Sequence, residues 1–172
     1  QEPVLVIGAG PAGLFAALKL IELNLKPIVI ERGKQAKERR HDIAKLNLNK
    51  GFNQESNYCY GEGGAGTFSD GKLYSRSKKK GNLQRIYEIF HYHGAIDEIL
   101  YDAHPHIGSD QLPMIVGNMS DTIIKNGGEI HFEQKIAELI IEDGAVKGCK
   151  TEKGDEFKAN AIILATGHSA HD

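Results

Sequence analysis

The chain has no tryptophan, two cysteines, and no apolar run approaching the length of a membrane span. Each shortage removes a class of protein. Cys59 and Cys149 cannot build the disulfide framework of a small secreted domain, and neither has a partner at C-x-x-C spacing for a dithiol redox pair. A reducing, cytoplasmic setting is therefore expected. A bilayer crossing needs roughly 20 apolar residues. The amino-terminal stretch also lacks the basic segment and apolar core of a secretory leader. An excess of one charge is missing too: 21 Lys and Arg face 23 Asp and Glu, giving a formal net charge of -2. No global field draws the chain to nucleic acid or to an anionic membrane. Lys78-Lys79-Lys80 stands without accompanying basic and aromatic surface and reads as a solvated turn. With 40% hydrophobic and 26% charged residues over 172 positions, the chain is long enough for one domain with a real core.

Glycine is plentiful, and its placement carries the functional signal. Gly8-Ala9-Gly10-Pro11-Ala12-Gly13 follows directly on the apolar run Val4-Leu5-Val6-Ile7. Beyond it, Glu31 closes a second apolar run, Pro27-Ile28-Val29-Ile30. This is the order of a dinucleotide-binding strand–turn–helix–strand unit. Gly8 permits the tight turn, Gly10 lets a pyrophosphate approach the backbone, and Gly13 lets the helix pack against the sheet. The free N–H groups and dipole of the helix N-terminus, at Pro11 and Ala12, suit phosphate charge. Glu31 is placed to accept hydrogen bonds from ribose hydroxyls and opposes a 2′-phosphate. Arg32 either accepts a 2′-phosphate or, the preferred reading, stacks near an adenine. The residues alone leave FAD and NAD(P) both open, because each contains an ADP half.

The rest of the chain reads as follows. The first strand is Pro3–Ile7, helix one Pro11–Asn24 with Leu14, Leu18 and Ile21 on one stripe, and strand two Ile28–Glu31. Residues 34–49 are charge-rich, with Ala36, Ile43 and Leu46 as a thin apolar side of an exposed helix. After the polar stretch 51–60 comes a second glycine cluster, Gly61-Glu62-Gly63-Gly64-Ala65-Gly66-Thr67-Phe68-Ser69-Asp70-Gly71. Its small residues let backbone N–H groups converge on an anion or on a flavin edge. Gly63, Gly64, Gly66 and Thr67 are the expected contacts. Residues 81–93 and 95–101 look helical, with Leu83, Ile86, Ile89 and Phe90 as the buried side, and residues 76–82 are the one candidate linker. Ser109 or Asp110 is expected to cap a helix over residues 111–126. Strands at 130–132, 136–141, 146–151 and 156–158 then make a β-meander, and 161–165 is a last buried strand ending at Thr166-Gly167. That end lies where a parallel sheet offers its carboxyl edge to ligand.

Other groups were weighed for chemistry. Arg39 and Arg40 either reach the pyrophosphate or belong to a solvated helix face. His91 and His93 are two apart on a helix and diverge, and His104 and His106 have no Cys or acid cluster at ligand spacing, so no metal site is expected. His106 and His168 are alternatives for an acid or base near a flavin, and Cys59 is either a buried structural thiol or a group approaching it. No catalytic residue is assigned.

The order GxGxxG, Glu31-Arg32-Gly33, a glycine loop, a meander, and a strand ending Ala165-Thr166-Gly167 resembles the glutathione-reductase-type FAD-binding fold. Gly61–Gly71 continuing to Lys72-Leu73-Tyr74, together with Ile99-Leu100-Tyr101-Asp102, Pro105-His106-Ile107-Gly108 and Gly167-His168-Ser169-Ala170, resembles the bacterial uncharacterised FAD-dependent dehydrogenases. The resemblance implies an α/β fold: a Rossmann-like parallel sheet of the two-dinucleotide-binding flavoprotein type with an antiparallel meander, incomplete in this chain. It implies FAD as cofactor, NAD(P)H as a candidate electron donor, and a small-molecule substrate. It also implies that Ile136 meets adenine through its backbone, and that Ala165, Thr166 and Gly167 lie on the pyrophosphate side. Three stretches are expected within one FAD-binding domain fragment: 1–71 with the βαβ unit and flavin loop, 72–108 as a helical insertion, and 109–172 as helix, meander and closing strand. The substrate domain and remaining polypeptide lie elsewhere, and oligomeric state is unassigned. A non-catalytic flavin or nucleotide-binding module and an NAD(P)-binding dehydrogenase domain stay open as alternatives.

Overall fold

The computed structural model describes residues 1–73, 81–102, 105–108 and 110–167. Tyr74, Lys78-Lys79-Lys80, most of the candidate linker, His104, Ser109 and His168-Ser169-Ala170 lie outside the described residues. In chain order the elements are β1 (Pro3–Ile7), α1 (Pro11–Glu22), β2 (Lys26–Ile30), α2 (Ala36–Asn47), α3 (Leu83–Tyr92), α4 (Leu112–Lys125), β3 (Glu129–His131), β4 (Ile136–Glu142), β5 (Ala145–Thr151), β6 (Glu156–Lys158) and β7 (Ile162–Leu164).

One sheet has the order β3-β2-β1-β7, and its pairs are parallel. In register, Leu5 stands opposite Ile28 on one side and Ile162 on the other. The second sheet, β4-β5-β6, is the expected antiparallel meander. Successive strand side chains point to opposite faces, and the two faces find different partners. Val4, Val6 and Val29 pack with Leu14, Ala17, Ile115, Met119 and Ile123 of α1 and α4. Leu5, Ile7 and Ile30 pack instead with Cys149, Ala159, Ile136 and Phe157 from the meander side. The result is three layers: helices, parallel sheet, meander. Both faces of β1 at the centre of the sheet are covered, which is why that strand reads as a continuous apolar run rather than as an alternation. Each aliphatic side chain fully buried this way contributes about 1.5–3 kcal/mol.

Local chemistry sets the ends. Helix α1 stops at Glu22, short of the expected Asn24, because Asn24 adopts a left-handed conformation with φ 58°. Asn82 caps α3 by accepting a hydrogen bond from the Arg85 N–H at 3.1 Å. Helix α3 docks only partly: Phe90 meets Phe15 edge-on at 5.3 Å, Leu83 and Ile89 are half-buried, and Ile86 is exposed. The predicted helix at 95–101 is a single 3-10 turn, Asp97–Leu100. The N-cap of α4 is Gln111, with no side-chain capping bond, rather than Ser109 or Asp110.

A tight backbone contact lies at the first turn. A Cβ on Gly13 would stand 1.9 Å from the Gly8 carbonyl oxygen. Gly13→Ala therefore gains about 1 kcal/mol of helix propensity but must displace backbone that cannot rotate away. The balance is expected to be a loss of about 2 kcal/mol or more, read as a lower urea midpoint. An unchanged midpoint would contradict the packing described.

Candidate functional site

The carboxyl ends of β1, β2 and β7 converge on one crevice. The Gly8 N–H donates to the Ile30 carbonyl at 2.8 Å, and the Ala165 N–H donates to the Ile7 carbonyl at 2.8 Å. A Cβ on Gly8 would stand 2.5 Å from the Ala165 oxygen, so the segment after β7 lies directly against the turn after β1. Beyond it, Thr166 and Gly167 are exposed. Glu31 follows β2 and is 5% exposed, with its side chain aimed at the turn rather than at solvent. One carboxylate oxygen accepts the Ala9 N–H and the other accepts the Gly33 N–H, each at 2.8 Å. Each oxygen keeps a second acceptor site.

Gly10 differs from its neighbours. Its φ is −72°, which any residue adopts, and the nearest atom to a Cβ placed on it is the Gly64 Cα at 3.9 Å. Neither backbone conformation nor internal packing asks for glycine there. The opening stands at the N-terminus of α1, whose N-cap makes no side-chain hydrogen bond and whose first turn has no acidic residue. The first N–H groups of a helix have no intrahelical acceptor and carry its positive dipole end. This corner therefore presents helix N-terminal amides, with room for a side chain at Gly10, in a setting that suits an anion. Pro11 and Ala12 are both exposed beside it.

The second glycine cluster folds over this turn. Gly63 and Gly64 are consecutive left-handed residues with φ 79° and 69°, a conformation that glycine reaches without strain. The Gly63 N–H donates to the Ala9 carbonyl at 2.7 Å. A Cβ on Gly64 would meet Pro11 at 3.2 Å and Gly10 at 3.3 Å. Inside the loop sits Arg39 of α2, fully buried. Its guanidinium donates to the carbonyls of Asn57, Tyr58, Glu62 and Gly64 and to the Thr67 hydroxyl. Burial pushes the Arg39 guanidinium down to about 10, with Glu31 and Glu62 opposing the shift, so it stays cationic at neutral pH. Glu62 is buried as well. It accepts the Ala36 N–H at the start of α2 at 2.7 Å and the Ser120 hydroxyl of α4 at 2.5 Å.

The sequence-assigned residues thus separate into groups. Gly8, Gly10, Pro11, Ala12, Gly13, Glu31, Gly63, Gly64 and Ala165 meet around the crevice. Gly66 is exposed in the 3-10 turn Gly64–Gly66. Thr67 is buried, and its hydroxyl donates inward to the Glu62 and Gly64 carbonyls. Arg32 pairs with Glu55 and stacks over Tyr60 at 4.0 Å. A guanidinium held by a carboxylate is a poor receptor for a 2′-phosphate. Arg40 lies exposed on α2 beside the buried Arg39. Ile136 opens β4, and two residues before it the Gln134 N–H donates to the Glu31 carbonyl at 2.9 Å. His106 is exposed and paired through Nε2 with the Asp70 carbonyl, while Cys59 is an exposed free thiol. No group of three or more His, Cys, Asp or Glu among the described residues could hold a metal ion, and no helix among them is long and apolar enough to cross a membrane.

Sequence reasoning gave no role to Glu62 or Asn57 and left Arg39 between two roles. A signal for Arg39 existed: it lies three residues after Ala36 and four before Ile43, on the docked stripe of α2. Asp42 is buried on the same helix and pairs with Lys34 at 3.0 Å. Burial alone would raise the Asp42 carboxyl, but the adjacent Lys34 ammonium outweighs it and holds the group below its ordinary value. A carboxylate depressed in the folded state stabilises above its unfolded range and loses that contribution as pH falls through the folded value. Asp42→Asn should cost about 2 kcal/mol at neutral pH, with variant and parent converging in acid. Parallel denaturation curves from neutral to acid pH check this; a constant gap throughout would refute the linkage.

A parallel sheet with a meander on one face, helices on the other, and a glycine turn under a second glycine loop defines an α/β dinucleotide-binding domain of the flavoprotein type. The chain belongs to the pyridine nucleotide-disulphide oxidoreductase family, whose profile matches residues 2–172. It is an FAD-binding portion of that flavoprotein class. It is 40% identical over 167 residues to an uncharacterized protein of Clostridium beijerinckii, covering 97% of this chain and 31% of that protein. The chain thus spans less than a third of that relative's length. In structure it is similar to the 3-ketosteroid-delta4-(5alpha)-dehydrogenase of Rhodococcus jostii RHA1, with TM-score 0.58 and 16% identity, covering 97% of this chain and 46% of that one. It is also similar to Lactococcus lactis thioredoxin reductase, with TM-score 0.52 and 19% identity, covering 97% and 36%. At these identities the likeness is one of fold.

Proposed function

We propose that this crevice holds the ADP half of FAD and that the whole protein is a flavin-dependent dehydrogenase. The single observation that carries the reading is the opening at Gly10: a glycine that the protein's own packing does not require, set before an uncapped helix N-terminus. The Ala12 and Gly13 amides receive the pyrophosphate, whose negative charge the α1 dipole offsets. Glu31, held by two amides, uses its remaining acceptor sites for ribose hydroxyls. Arg32 on Tyr60 forms a flat cationic surface at the adenine end, with the backbone of Ile136 nearby. Gly64 and Gly66 bring the second loop toward the flavin, and Ala165, Thr166 and Gly167 close the pyrophosphate side. Thr67 supports the loop from within, and Arg40 stays at its solvent-facing edge.

When bound, the flavin supplies two-electron chemistry; the chain's part is to bind, orient and tune it. The protein as a whole takes electrons from a small-molecule substrate or from NAD(P)H, acts in the cytoplasm, and resembles the bacterial FAD-dependent dehydrogenases that share the Gly61–Gly71 loop. Helix α3 and the 3-10 turn Asp97–Leu100 belong to its helical insertion, and the substrate domain lies outside this chain. Neither nucleic acid nor a membrane is a partner in this reading.

Two substitutions test the cofactor assignment by FAD titration of the full-length protein. Gly10→Val should abolish FAD retention while stability stays within about 1 kcal/mol of the parent, since no protein atom crowds that position. A variant that still carries flavin would count against the close approach. Glu31→Ala should weaken FAD at least about tenfold and also lower stability by about 1–3 kcal/mol, because the Ala9 and Gly33 amides lose their acceptor. Unchanged affinity would remove Glu31 from the ribose site. Bleaching of the flavin by NADH or NADPH would support the dehydrogenase reading over a passive flavin module.

A further inference from the structure

Arg39 carries a charge with no exposed surface, and among the described residues no carboxylate accepts a hydrogen bond from it. A cation that only needed neutralising would sit against Glu62, whose carboxylate instead turns to the Ala36 amide and the Ser120 hydroxyl. What the guanidinium contacts is a ring of loop oxygens: Asn57 from Nε and Nη2, Glu62 from Nη1, and Gly64 from both Nη groups at 3.1 Å.

Peptide planarity turns this into a statement about the opposite side of the loop. In a trans peptide the N–H points away from the C=O. With the Glu62 carbonyl drawn onto Arg39, the Gly63 N–H faces the other way and donates to Ala9 at 2.7 Å. With the Gly64 carbonyl drawn onto the same cation, the Ala65 N–H likewise faces outward. Ala65 is exposed and directly follows the residue that covers Gly10 and Pro11. We propose that Arg39 is a positioning residue for the cofactor: its guanidinium holds the Glu62 and Gly64 carbonyls inward and so presents the Ala65 N–H to the bound FAD as a hydrogen-bond donor. This rests on the FAD reading above and adds to it a specific donor and the group that aims it.

A planar fork is essential to the role. Lysine would keep the charge, but one ammonium cannot span the Asn57, Glu62 and Gly64 oxygens together. The decisive measurement is FAD titration by flavin fluorescence of the full-length protein, comparing the parent with Arg39→Lys, Ala65→Pro and the double variant. Proline suits the φ of a 3-10 turn and replaces the N–H with a ring methylene that also restricts Gly64, an effect on the loop that the melting temperature reads. Each single variant should weaken FAD about tenfold or more, the loss of one hydrogen bond to a charged or strongly polar acceptor. The double variant should be no weaker than the worse single one, because both remove the same donor. Ala65→Pro should melt with the parent, separating the amide's role from the loop's stability; should Arg39→Lys not fold, this variant carries the test alone. Arg39→Lys binding within about twofold of the parent, or additive losses in the double variant, would overturn the inference. A parent protein that takes up no FAD would overturn the proposed function itself, a result read before any variant is compared.

Discussion

The Glu31 carboxylate is the point from which the rest of the crevice is fixed. It is a buried acid satisfied by two backbone amides, Ala9 from the turn after β1 and Gly33 from the turn after β2. An anion accepting such bonds makes them stronger than neutral ones, and leaving either amide without an acceptor costs about 1–3 kcal/mol. Its backbone extends the same joint. The Glu31 N–H donates to the His131 carbonyl at 2.8 Å, and its own carbonyl accepts the Gln134 N–H at 2.9 Å. One residue thereby ties the glycine turn, the second strand, β3 and the approach to the meander. A side chain at the tip of a strand becomes the reference for everything a dinucleotide would touch.

The glycines around this joint do different work, and the distances distinguish them. Gly13 is small because helix and turn touch. Gly63 and Gly64 are small because two successive left-handed residues let the second loop lie on the first turn. Gly10 is small although a Cβ there would meet only the Gly64 Cα, at an ordinary contact distance of 3.9 Å. Packing explains the first two cases; the third is the one that the proposed pyrophosphate would explain. Arg39 and Glu62 set the height of the second loop over that space. Both are buried, and neither depends on a direct ion pair with the other: carbonyls surround the cation, and an amide and a hydroxyl hold the anion. Such a frame tolerates burial because its hydrogen-bonding groups are used, and it loses heavily if one is left alone.

Much of the fold was legible in the sequence because its signals are local and periodic. The apolar runs of β1 and β2, the glycine turn, the stripe of α4 and the turns at Asp143-Gly144 and Gly154 each state their structure within a few residues, and both of those turns adopt positive φ. The crevice itself was legible through Gly8, Gly10, Gly13 and Glu31. The misses share one cause: side-chain bonds to backbone and to charged partners carry no periodic signal, whether they join distant segments or close a single loop. Arg39 read as either a pyrophosphate contact or part of a solvated helix face, and Asp42 as part of a charge-rich exposed helix, yet both point inward because loop oxygens and Lys34 wait there. The stretch 51–60 read as featureless, yet Asn53 accepts the Glu55 and Ser56 amides and Asn57 donates to the Asn53 and Gln54 carbonyls. Thr67 read as part of a loop whose backbone faces a ligand; its hydroxyl completes that loop from inside, a contact the sequence did not announce.

The most direct check of the central claim is a crystal structure of the full-length protein with FAD bound. The account predicts the pyrophosphate within hydrogen-bond distance of the Ala12 and Gly13 amides, passing over Gly10, with the adenosine ribose at the Glu31 carboxylate. Cofactor bound elsewhere while that corner stays filled by protein or water would contradict it.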